Sequence, residues 1–357
     1  MSNFGHGGNV EEIARSLNIN LRDLIDFSAN INPLGLNETI KETMINSLHK
    51  IIKYPDITYY EARKAISNHE KWDINDIALG NGAAEIIFNV VRAIKPKRAL
   101  IPSPTFSEYE IACRSVDCEI LHYILKDTDK FNITDDFLES INDEIDLIFI
   151  CNPNNPTGVL TKNTFIEKVA KKAKEHNCFV ILDESFLDFV KNGEKYSINN
   201  LIEANDNLIL IKSATKFFAI PGIRIGYGYF KNEKLKKSLD KITISWSINT
   251  LASEAIKVAF LQKEYIENTM DFVEREKDYL FKKFLEFKKL KPLKPSVNFM
   301  MFKFLDENIN LYEELLKKKI IIRRCSNYEG LDNSFYRVAV RNREENEILI
   351  KALEEIL

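Results

Sequence analysis

The sequence lacks a basic excess and long apolar runs. Its 50 lysine and arginine residues are balanced by 53 aspartate and glutamate residues, and the formal net charge is −3. A nucleic-acid partner would call for a positive excess, so this balance argues against one. The longest apolar runs, such as Leu147 to Cys151, fall far short of the roughly 18 residues that span a bilayer. We therefore expect neither a nucleic-acid nor a membrane partner.

Cysteine and histidine are also scarce, with five residues of each type. The cysteine count is odd and no Cys-x-x-Cys occurs, which argues against a disulfide framework or a zinc knuckle. The histidines are scattered without ligand spacing, so no metal site is expected. The first nine residues have neither a basic flank nor an apolar core, which gives no indication of a secretion signal. Reduced thiols in a cytoplasmic protein are the expectation.

The sequence does contain an alternation of predicted strands and helices, which is typical of an α/β protein. Its length of 357 residues predicts about two domains. The composition, with 45% hydrophobic and 29% charged residues, is that of an ordinary globular protein. Short β-branched runs alternate with longer amphipathic stretches, which predicts a largely parallel sheet of seven strands. The predicted strands are Ile77–Leu79, Ala99–Pro102, Glu119–Ile124, Asp146–Cys151, Phe179–Asp183, Leu208–Lys212 and Arg224–Phe230.

The pattern changes after Phe230, and this predicts a second, smaller α/β unit. Helical periodicity is clearest in Ala83–Ala93, Asn163–Glu175 and Ser253–Phe287. After this last helical stretch in the sequence, we expect strands at Val297–Phe304, Ile320–Arg324 and Phe335–Val340, with helices at Asn310–Lys318 and Glu344–Ile356. We divide the chain into an N-terminal arm (1–35), a large domain (36–240) and a small C-terminal domain (241–357).

Four residue clusters lie at predicted strand ends, where open α/β sheets bind ligands. The first, Gly80 to Glu85, reads Gly-Asn-Gly-Ala-Ala-Glu and opens a helix whose free N–H groups suit an anion. A plain tight turn explains it equally well. The second, Asn152 to Gly158, reads Asn-Pro-Asn-Asn-Pro-Thr-Gly and forms a rigid turn that can aim an amide at a ligand.

The other two clusters supply a carboxylate and an amine. Asp183 ends a predicted strand, where a partly desolvated carboxylate needs a cationic or protonated partner, although a helix N-cap is the simpler alternative. Lys216 lies among apolar residues that would lower its pKa, so its amine could form a Schiff base. Ser213 and Arg224 on either side suit a phosphate. Together, the four clusters match the aldehyde, ring nitrogen and phosphate of pyridoxal 5′-phosphate.

These motifs resemble fold type I pyridoxal-phosphate enzymes of the histidinol-phosphate aminotransferase group, over almost the whole chain. The resemblance implies a large domain with a mostly parallel seven-stranded sheet and a small C-terminal α/β domain. It also implies that Lys216 carries the cofactor, Asp183 pairs with the ring nitrogen and Asn155 bonds the ring hydroxyl. The groups implied to hold the cofactor phosphate are Gly82, the backbone N–H groups of Ala83 and Ala84, Ser213 and Arg224.

Three further positions match this group. Phe106 would stack on the ring, and Arg337 would grip the substrate carboxylate. Tyr54 matches the tyrosine that reaches the phosphate from the neighbouring subunit, which implies a homodimer with shared active sites.

A narrower resemblance, to the threonine-phosphate decarboxylase family of cobalamin biosynthesis, rests on His6 to Asn9, Asp26 to Gly35 and Ile322 to Leu331. It implies decarboxylation of L-threonine O-3-phosphate to (R)-1-amino-2-propanol O-2-phosphate and carbon dioxide. His6, Asn32 and Arg323 would then help to seat the substrate phosphate and carboxylate.

One position favours this reaction, and several alternatives stay open. Phe186 stands where aminotransferases of the group usually carry tyrosine, and Arg324 is expected to add a charge near the substrate mouth. The main alternative is an aminotransferase acting on histidinol phosphate or a related amino acid. A non-catalytic pyridoxal-phosphate sensor would need a fused DNA-binding segment, which we do not expect here. The choice between threonine phosphate and serine phosphate is left open, because one methyl group is worth only about 1–3 kcal/mol.

Overall fold

Residues 7–357 form two main sheets, which helices cover, and a third sheet of only two strands. A computed structural model describes residues 7–357. The strands are β1 (Ile25–Asp26), β2 (Ile77–Gly80), β3 (Arg98–Ser103), β4 (Glu119–Ile124), β5 (Leu147–Cys151), β6 (Phe179–Asp183), β7 (Leu208–Ser213), β8 (Gly226–Tyr229), β9 (Leu290–Pro292), β10 (Phe299–Phe304), β11 (Ile320–Ile321), β12 (Arg323–Arg324) and β13 (Phe335–Ala339). The helices are α1 (Val10–Leu17), α2 (Glu38–Asn46), α3 (Tyr60–Glu70), α4 (Ala83–Ile94), α5 (Glu108–Arg114), α6 (Asn163–Glu175), α7 (Asn199–Ile202), α8 (Ala214–Phe217), α9 (Glu233–Asp240), α10 (Thr250–Ala259), α11 (Lys263–Leu285), α12 (Leu311–Lys317) and α13 (Arg343–Ile356).

The larger sheet has seven strands in the order β2-β8-β7-β6-β5-β3-β4. Strand β8 runs antiparallel to both of its neighbours, and the other pairs are parallel. Every residue of β5 and of β7 is buried, because helices cover both faces of the sheet. Along β5, Leu147 and Phe149 pack against α4 and α5, whereas Ile148 and Ile150 face the core formed with α3, α6 and α10. The predicted fold class is confirmed.

The smaller sheet is antiparallel, with the order β12-β13-β10-β9. Its core contains Leu280 and Phe284 of α11, Leu315 of α12 and Leu349 of α13. The N-terminal segment joins this region, since β1 pairs with β11 in parallel. The domain limits 1–35, 36–240 and 241–357 stay predictions.

Two predicted elements were wrong in detail. The helix expected at Ser253–Phe287 is two helices, α10 and α11, because Gln262, directly before α11, has a non-helical ψ of 62°. Neither glycine nor proline marks this break in the sequence. The strand expected at Ile320–Arg324 is divided between two sheets, since β11 pairs with β1 and β12 pairs with β13. In this second case, pairing partners from distant parts of the chain decide the structure.

The longest described helix is α11, which has 23 residues. Charged residues recur along its length. Within residues 7–357, no helix is both long enough and apolar enough to cross a membrane.

Candidate active site

A pocket lies where the carboxyl ends of β5, β6 and β7 meet the start of α4, the edge at which sheets of this kind bind ligands. Nine of the ten residues predicted to bind the cofactor line it, together with Phe186 and three residues that had no predicted role. The predicted residues are Gly82, Ala83, Ala84, Phe106, Asn155, Asp183, Ser213, Lys216 and Arg224. The three residues without a predicted role are Cys151, Ser185 and Thr215.

Lys216 stands in the short helix α8, directly after β7. Its Nζ lies 3.4 Å from Ser213 Oγ and 5.1 Å from the centre of the Phe186 ring. Burial lowers the pKa of Lys216 below its ordinary value; the charge of Asp183 opposes this shift and that of Arg224 reinforces it. A lysine with a lowered pKa has more of the neutral amine that attacks a carbonyl carbon.

Asp183 is the last residue of β6 and is buried. Tyr109 donates its O–H to Asp183 Oδ2 at 2.8 Å, and the backbone N–H of Ser185 donates to Oδ1 at 2.9 Å. These two donors fix the orientation of the carboxylate. Each oxygen has a second lone pair, so the group can also accept a proton donor from a ligand in the pocket.

The start of α4 and Arg224 form a cradle for an anion. Gly82, the N-cap of α4, has φ +82°, and a Cβ at this position would collide with the Arg224 guanidinium. Gly226 is equally constrained, since its Cβ would meet the backbone N of Ala83. Among residues 7–357, no side chain caps the first turn of α4, so its N–H groups, the dipole of the helix and the guanidinium all suit a phosphate.

A fixed arginine contacts one residue of the pocket. Arg337 of β13 is buried and donates through Nη1 to Asn155 Oδ1 and through Nη2 to the carbonyl oxygen of Ser28 at 2.9 Å. Its guanidinium lies 5.3 Å from the centre of the Phe299 ring. The structure thus joins Arg337 to Asn155, which lines the pocket.

A second arginine lies beside the first. Arg323 pairs with Arg337 in the register of β12 and β13, so both side chains leave the sheet on one face. Arg323 donates to Asn327 Oδ1 at 2.7 Å. Arg324 points the opposite way, with its guanidinium 4.4 Å from the centre of the Tyr312 ring. The expectation that Arg324 adds a charge at the substrate mouth is therefore wrong, because successive side chains of a strand face opposite sides.

Asn32 is buried, and its side chain is engaged by α8 and α11. Its Nδ2 donates to the Phe217 carbonyl at 2.7 Å and also contacts the hydroxyls of Thr269 and Tyr265. These partners engage both amide protons, which leaves no donor for a substrate phosphate. The backbone N of Asn32 bonds the Lys216 carbonyl at 3.0 Å, so this residue fixes the helix that carries the lysine.

Tyr54, predicted to reach the cofactor phosphate, does not line the pocket of its own chain. Tyr54 is 79% exposed, and its ring contacts Trp246 at a centroid distance of 4.7 Å. His6 lies outside the described residues. The adjoining arm packs nearby, since the Gly8 N–H donates to Ser28 Oγ at 2.8 Å and Ser28 contacts Arg337 through its carbonyl.

Behind the pocket, on the other face of the sheet, lies a buried charge cluster that the sequence did not predict. Lys212 Nζ lies 2.7 Å from Glu70 Oε1 and 3.1 Å from Asp188 Oδ1, and Tyr227 donates to Glu70 at 2.8 Å. Burial alone would lower the pKa of Lys212, but Asp188, Glu70 and Glu184 outweigh it and raise the pKa. Lys212 therefore stays charged, whereas the pKa of Lys216 is shifted in the opposite direction.

The residues present fit pyridoxal 5′-phosphate. The pocket offers an amine at Lys216, a carboxylate at Asp183 and an anion cradle at Gly82 and Arg224, which match the three reactive parts of that molecule. Ser185 Oγ is shielded from solvent and has no hydrogen-bond partner among the described residues, so the pocket also holds a free polar atom for a ligand.

Comparison with known proteins agrees with this geometry. The family of class I and II aminotransferases matches residues 22–353. The threonine-phosphate decarboxylase of Salmonella typhimurium is 36% identical over 355 residues, covering 99% of this chain and 97% of that protein. The crystal structure of the histidinol-phosphate aminotransferase from Clostridium acetobutylicum has a TM-score of 0.86 at 33% identity, covering 93% of this chain and 99% of that one. The L-threonine-O-3-phosphate decarboxylase of Porphyromonas gingivalis has a TM-score of 0.82 at 25% identity, covering 92% and 98%.

Proposed function

The chain belongs to the family of class I and II aminotransferases, and from this premise we propose that it decarboxylates L-threonine O-3-phosphate. The products are (R)-1-amino-2-propanol O-2-phosphate and carbon dioxide, as a step of cobalamin biosynthesis. The enzymes of this family depend on pyridoxal 5′-phosphate, and the predicted cofactor is thereby confirmed. The full-length similarity to a threonine-phosphate decarboxylase supports this choice of reaction.

The observation that carries the proposal is the pair of arginines on one face of β12 and β13. Arg323 and Arg337 are register partners, so their side chains leave the sheet on one face, and Arg337 contacts Asn155 of the pocket. A substrate with both a carboxylate and a phosphate suits two such groups, because arginine forms forked, charge-assisted hydrogen bonds with either anion. Asn155 and the Ser28 carbonyl hold Arg337 in place before any substrate arrives. We assign the carboxylate to Arg337 and the phosphate to Arg323.

The chemistry divides among a few side chains. Bound pyridoxal 5′-phosphate supplies an electron sink for the bond that breaks at the α-carbon. Arg337 fixes the direction of the substrate carboxylate and so selects which bond breaks. Lys216 Nζ, with its lowered pKa, returns a proton to the carbon that has lost carbon dioxide. Phe106 and Phe186 line the pocket with apolar surface that excludes water.

Phe186 favours decarboxylation over amino transfer. Its ring lies 5.1 Å from Lys216 Nζ and meets Phe299 edge-on at 5.0 Å. It offers no hydroxyl beside the lysine, where the aminotransferases of the group usually carry one. Amino transfer on histidinol phosphate stays the second candidate, because a histidinol-phosphate aminotransferase matches the fold at 33% identity.

The reaction is tested by incubating the protein, loaded with pyridoxal 5′-phosphate, with carboxyl-labelled L-threonine O-phosphate. We expect labelled carbon dioxide without any added keto acid, and a rate independent of 2-oxoglutarate. Histidinol phosphate and L-serine O-phosphate serve as comparison substrates. Glutamate formation that requires 2-oxoglutarate, with no release of label, would reject the decarboxylase in favour of the aminotransferase.

We also propose that the enzyme is a cytoplasmic homodimer. All five cysteines are free thiols, which suits a reducing compartment. The dimer is supported by a patch of exposed apolar side chains, a feature that marks interaction surfaces in soluble proteins. We call it the apolar patch, and it comprises Ile51, Ile52, Tyr54, Ile57, Ile244 and Trp246.

The apolar patch lies near the anion cradle, as a shared site requires. Asn249, which lines the same surface groove as Tyr54 and Trp246, donates to the carbonyl of Ile223, the residue before Arg224. A second copy related by a two-fold axis would cover the patch and bring its own Tyr54 toward this phosphate end.

Replacing Ile52 with glutamate is expected to weaken the dimer. Ile52 is 82% exposed, and an unpaired carboxylate buried at an interface costs several kcal/mol. We expect dissociation to become at least about 100-fold easier and activity to fall with it. The control is Leu285→Glu, which changes an apolar residue that is 58% exposed at the end of α11. Light scattering that shows a monomeric wild type, or an I52E dimer as tight as the L285E dimer, would contradict the proposal.

A further inference from the structure

Tyr109 has no role assigned so far, although its hydroxyl contacts the central carboxylate of the site. It lies on α5, is fully buried, and donates to Asp183 Oδ2 at 2.8 Å. Its ring stacks on Phe149 at 4.8 Å and meets Phe106 edge-on at 5.6 Å. Tyr109 therefore contacts two residues expected to touch the cofactor ring: Asp183, which would pair with the ring nitrogen, and Phe106, which would stack on the ring.

We propose that Tyr109 is a positioning residue that keeps the negative charge on Asp183, so that the ring nitrogen of the cofactor holds its proton. The inference rests on the proposed function only through the cofactor, and it does not depend on which substrate is used.

The physical basis is that a hydrogen bond from the fixed phenol of Tyr109 stabilises the charged form of the Asp183 carboxylate. Burial, followed by the charge of Asp183, raises the pKa of Tyr109 well above its ordinary value, so the phenol stays a donor across the working pH range. Donation to an ionised carboxylate favours its charged form. The second donor, the Ser185 N–H at 2.9 Å, holds the other oxygen and cannot rotate to replace the phenol.

Without the phenolic donor, the carboxylate would be held less firmly toward the ring, and the nitrogen of a bound cofactor would lose its proton more readily. A neutral ring withdraws electrons less strongly, so the chemical step would slow. The stacking contacts of Tyr109 with Phe149 and Phe106 would remain in a phenylalanine variant, since only one oxygen atom is removed.

The test variant is Tyr109→Phe, and the matched control is Tyr227→Phe. Tyr227 is also fully buried and donates to a buried carboxylate, Glu70, at 2.8 Å, but it lies behind the pocket. Both variants lose one bond to a charged acceptor, so both are expected to melt at a lower temperature. This comparison separates loss of stability from loss of positioning.

The primary readout needs no turnover. Each protein is loaded with pyridoxal 5′-phosphate labelled with ¹⁵N at the ring nitrogen, and the nitrogen chemical shift is measured. We expect a protonated ring nitrogen in the wild type and in Y227F, and a shift toward the unprotonated value in Y109F. We also expect kcat to fall about 10–100-fold in Y109F with KM nearly unchanged, the range that corresponds to one hydrogen bond to a charged group.

A cofactor analogue that lacks the ring nitrogen completes the design. With 1-deazapyridoxal 5′-phosphate, Y109F should be no slower than the wild type, because the proton that Tyr109 helps to hold is absent. An unchanged nitrogen shift in Y109F, or an equal slowing with the analogue, would overturn the positioning role. A wild type that does not bind pyridoxal 5′-phosphate would instead refute the proposed function.

Discussion

Replacing Lys216 with alanine is expected to abolish turnover of L-threonine O-phosphate and to prevent covalent retention of the cofactor. Loss of the proton transfer alone slows a reaction by about 10²–10⁴-fold, and loss of the attachment point adds to this. The measurement is carbon dioxide release, with retention of pyridoxal 5′-phosphate after gel filtration.

Two control variants define the role of this lysine. Lys216→Arg keeps the positive charge but has no nucleophilic amine, since a guanidinium stays protonated in proteins. We therefore expect it to be as inactive as K216A. Lys234→Ala removes an exposed lysine of α9 and should retain full activity. An active K216A or K216R enzyme would contradict the role of Lys216.

Replacing Lys212 with methionine is expected to cause the largest loss of stability. The variant leaves Glu70 buried without its cation, and breaking a buried ion pair in this way costs about 3–5 kcal/mol. Burial, which raises the pKa of Glu70, would then be opposed by His69 and by the Tyr227 hydrogen bond but no longer by Lys212, so the pKa of this carboxyl should rise. The free energy of unfolding, measured in urea at one fixed protein concentration, gives the result.

The double variant Lys212→Met with Glu70→Gln separates loss of charge pairing from loss of packing. It removes both buried charges, so it should regain much of the stability that K212M loses. For comparison, Lys191→Met breaks the exposed ion pair with Asp271 and should leave stability unchanged within error. A K212M protein as stable as K191M would show that the buried cluster contributes nothing.

The sheet and the pocket were predictable because the signals lie within short segments. The apolar runs at Leu147–Cys151 and Phe179–Asp183 are strands covered on both faces, and they end at the residues that line the pocket. The turn before Ala83 was also predictable, since the Gly-Asn-Gly sequence permits the φ of +82° that the N-cap of α4 adopts.

The remaining contacts depend on long-range packing that no short segment encodes. Asn32 bonds groups on α8 and α11 that lie 185 to 237 residues later in the chain, and Glu70 meets Lys212 across 142 residues. The direction of the Tyr109 hydroxyl depends on how α5 packs against the sheet. The orientation of Arg324, in contrast, was predictable from the sequence. Successive side chains of a strand face opposite sides, so Arg324 points away from the face on which Arg323 lies.

The central claim is that Lys216 is the lysine that carries the cofactor, and one measurement tests it most directly. The protein is loaded with pyridoxal 5′-phosphate, reduced with borohydride and digested, and the modified lysine is identified by mass spectrometry. We predict that the label is on Lys216 and not on Lys212, whose ammonium is engaged by Glu70 and Asp188. A label on Lys212, on exposed lysines or on no single site would contradict the account.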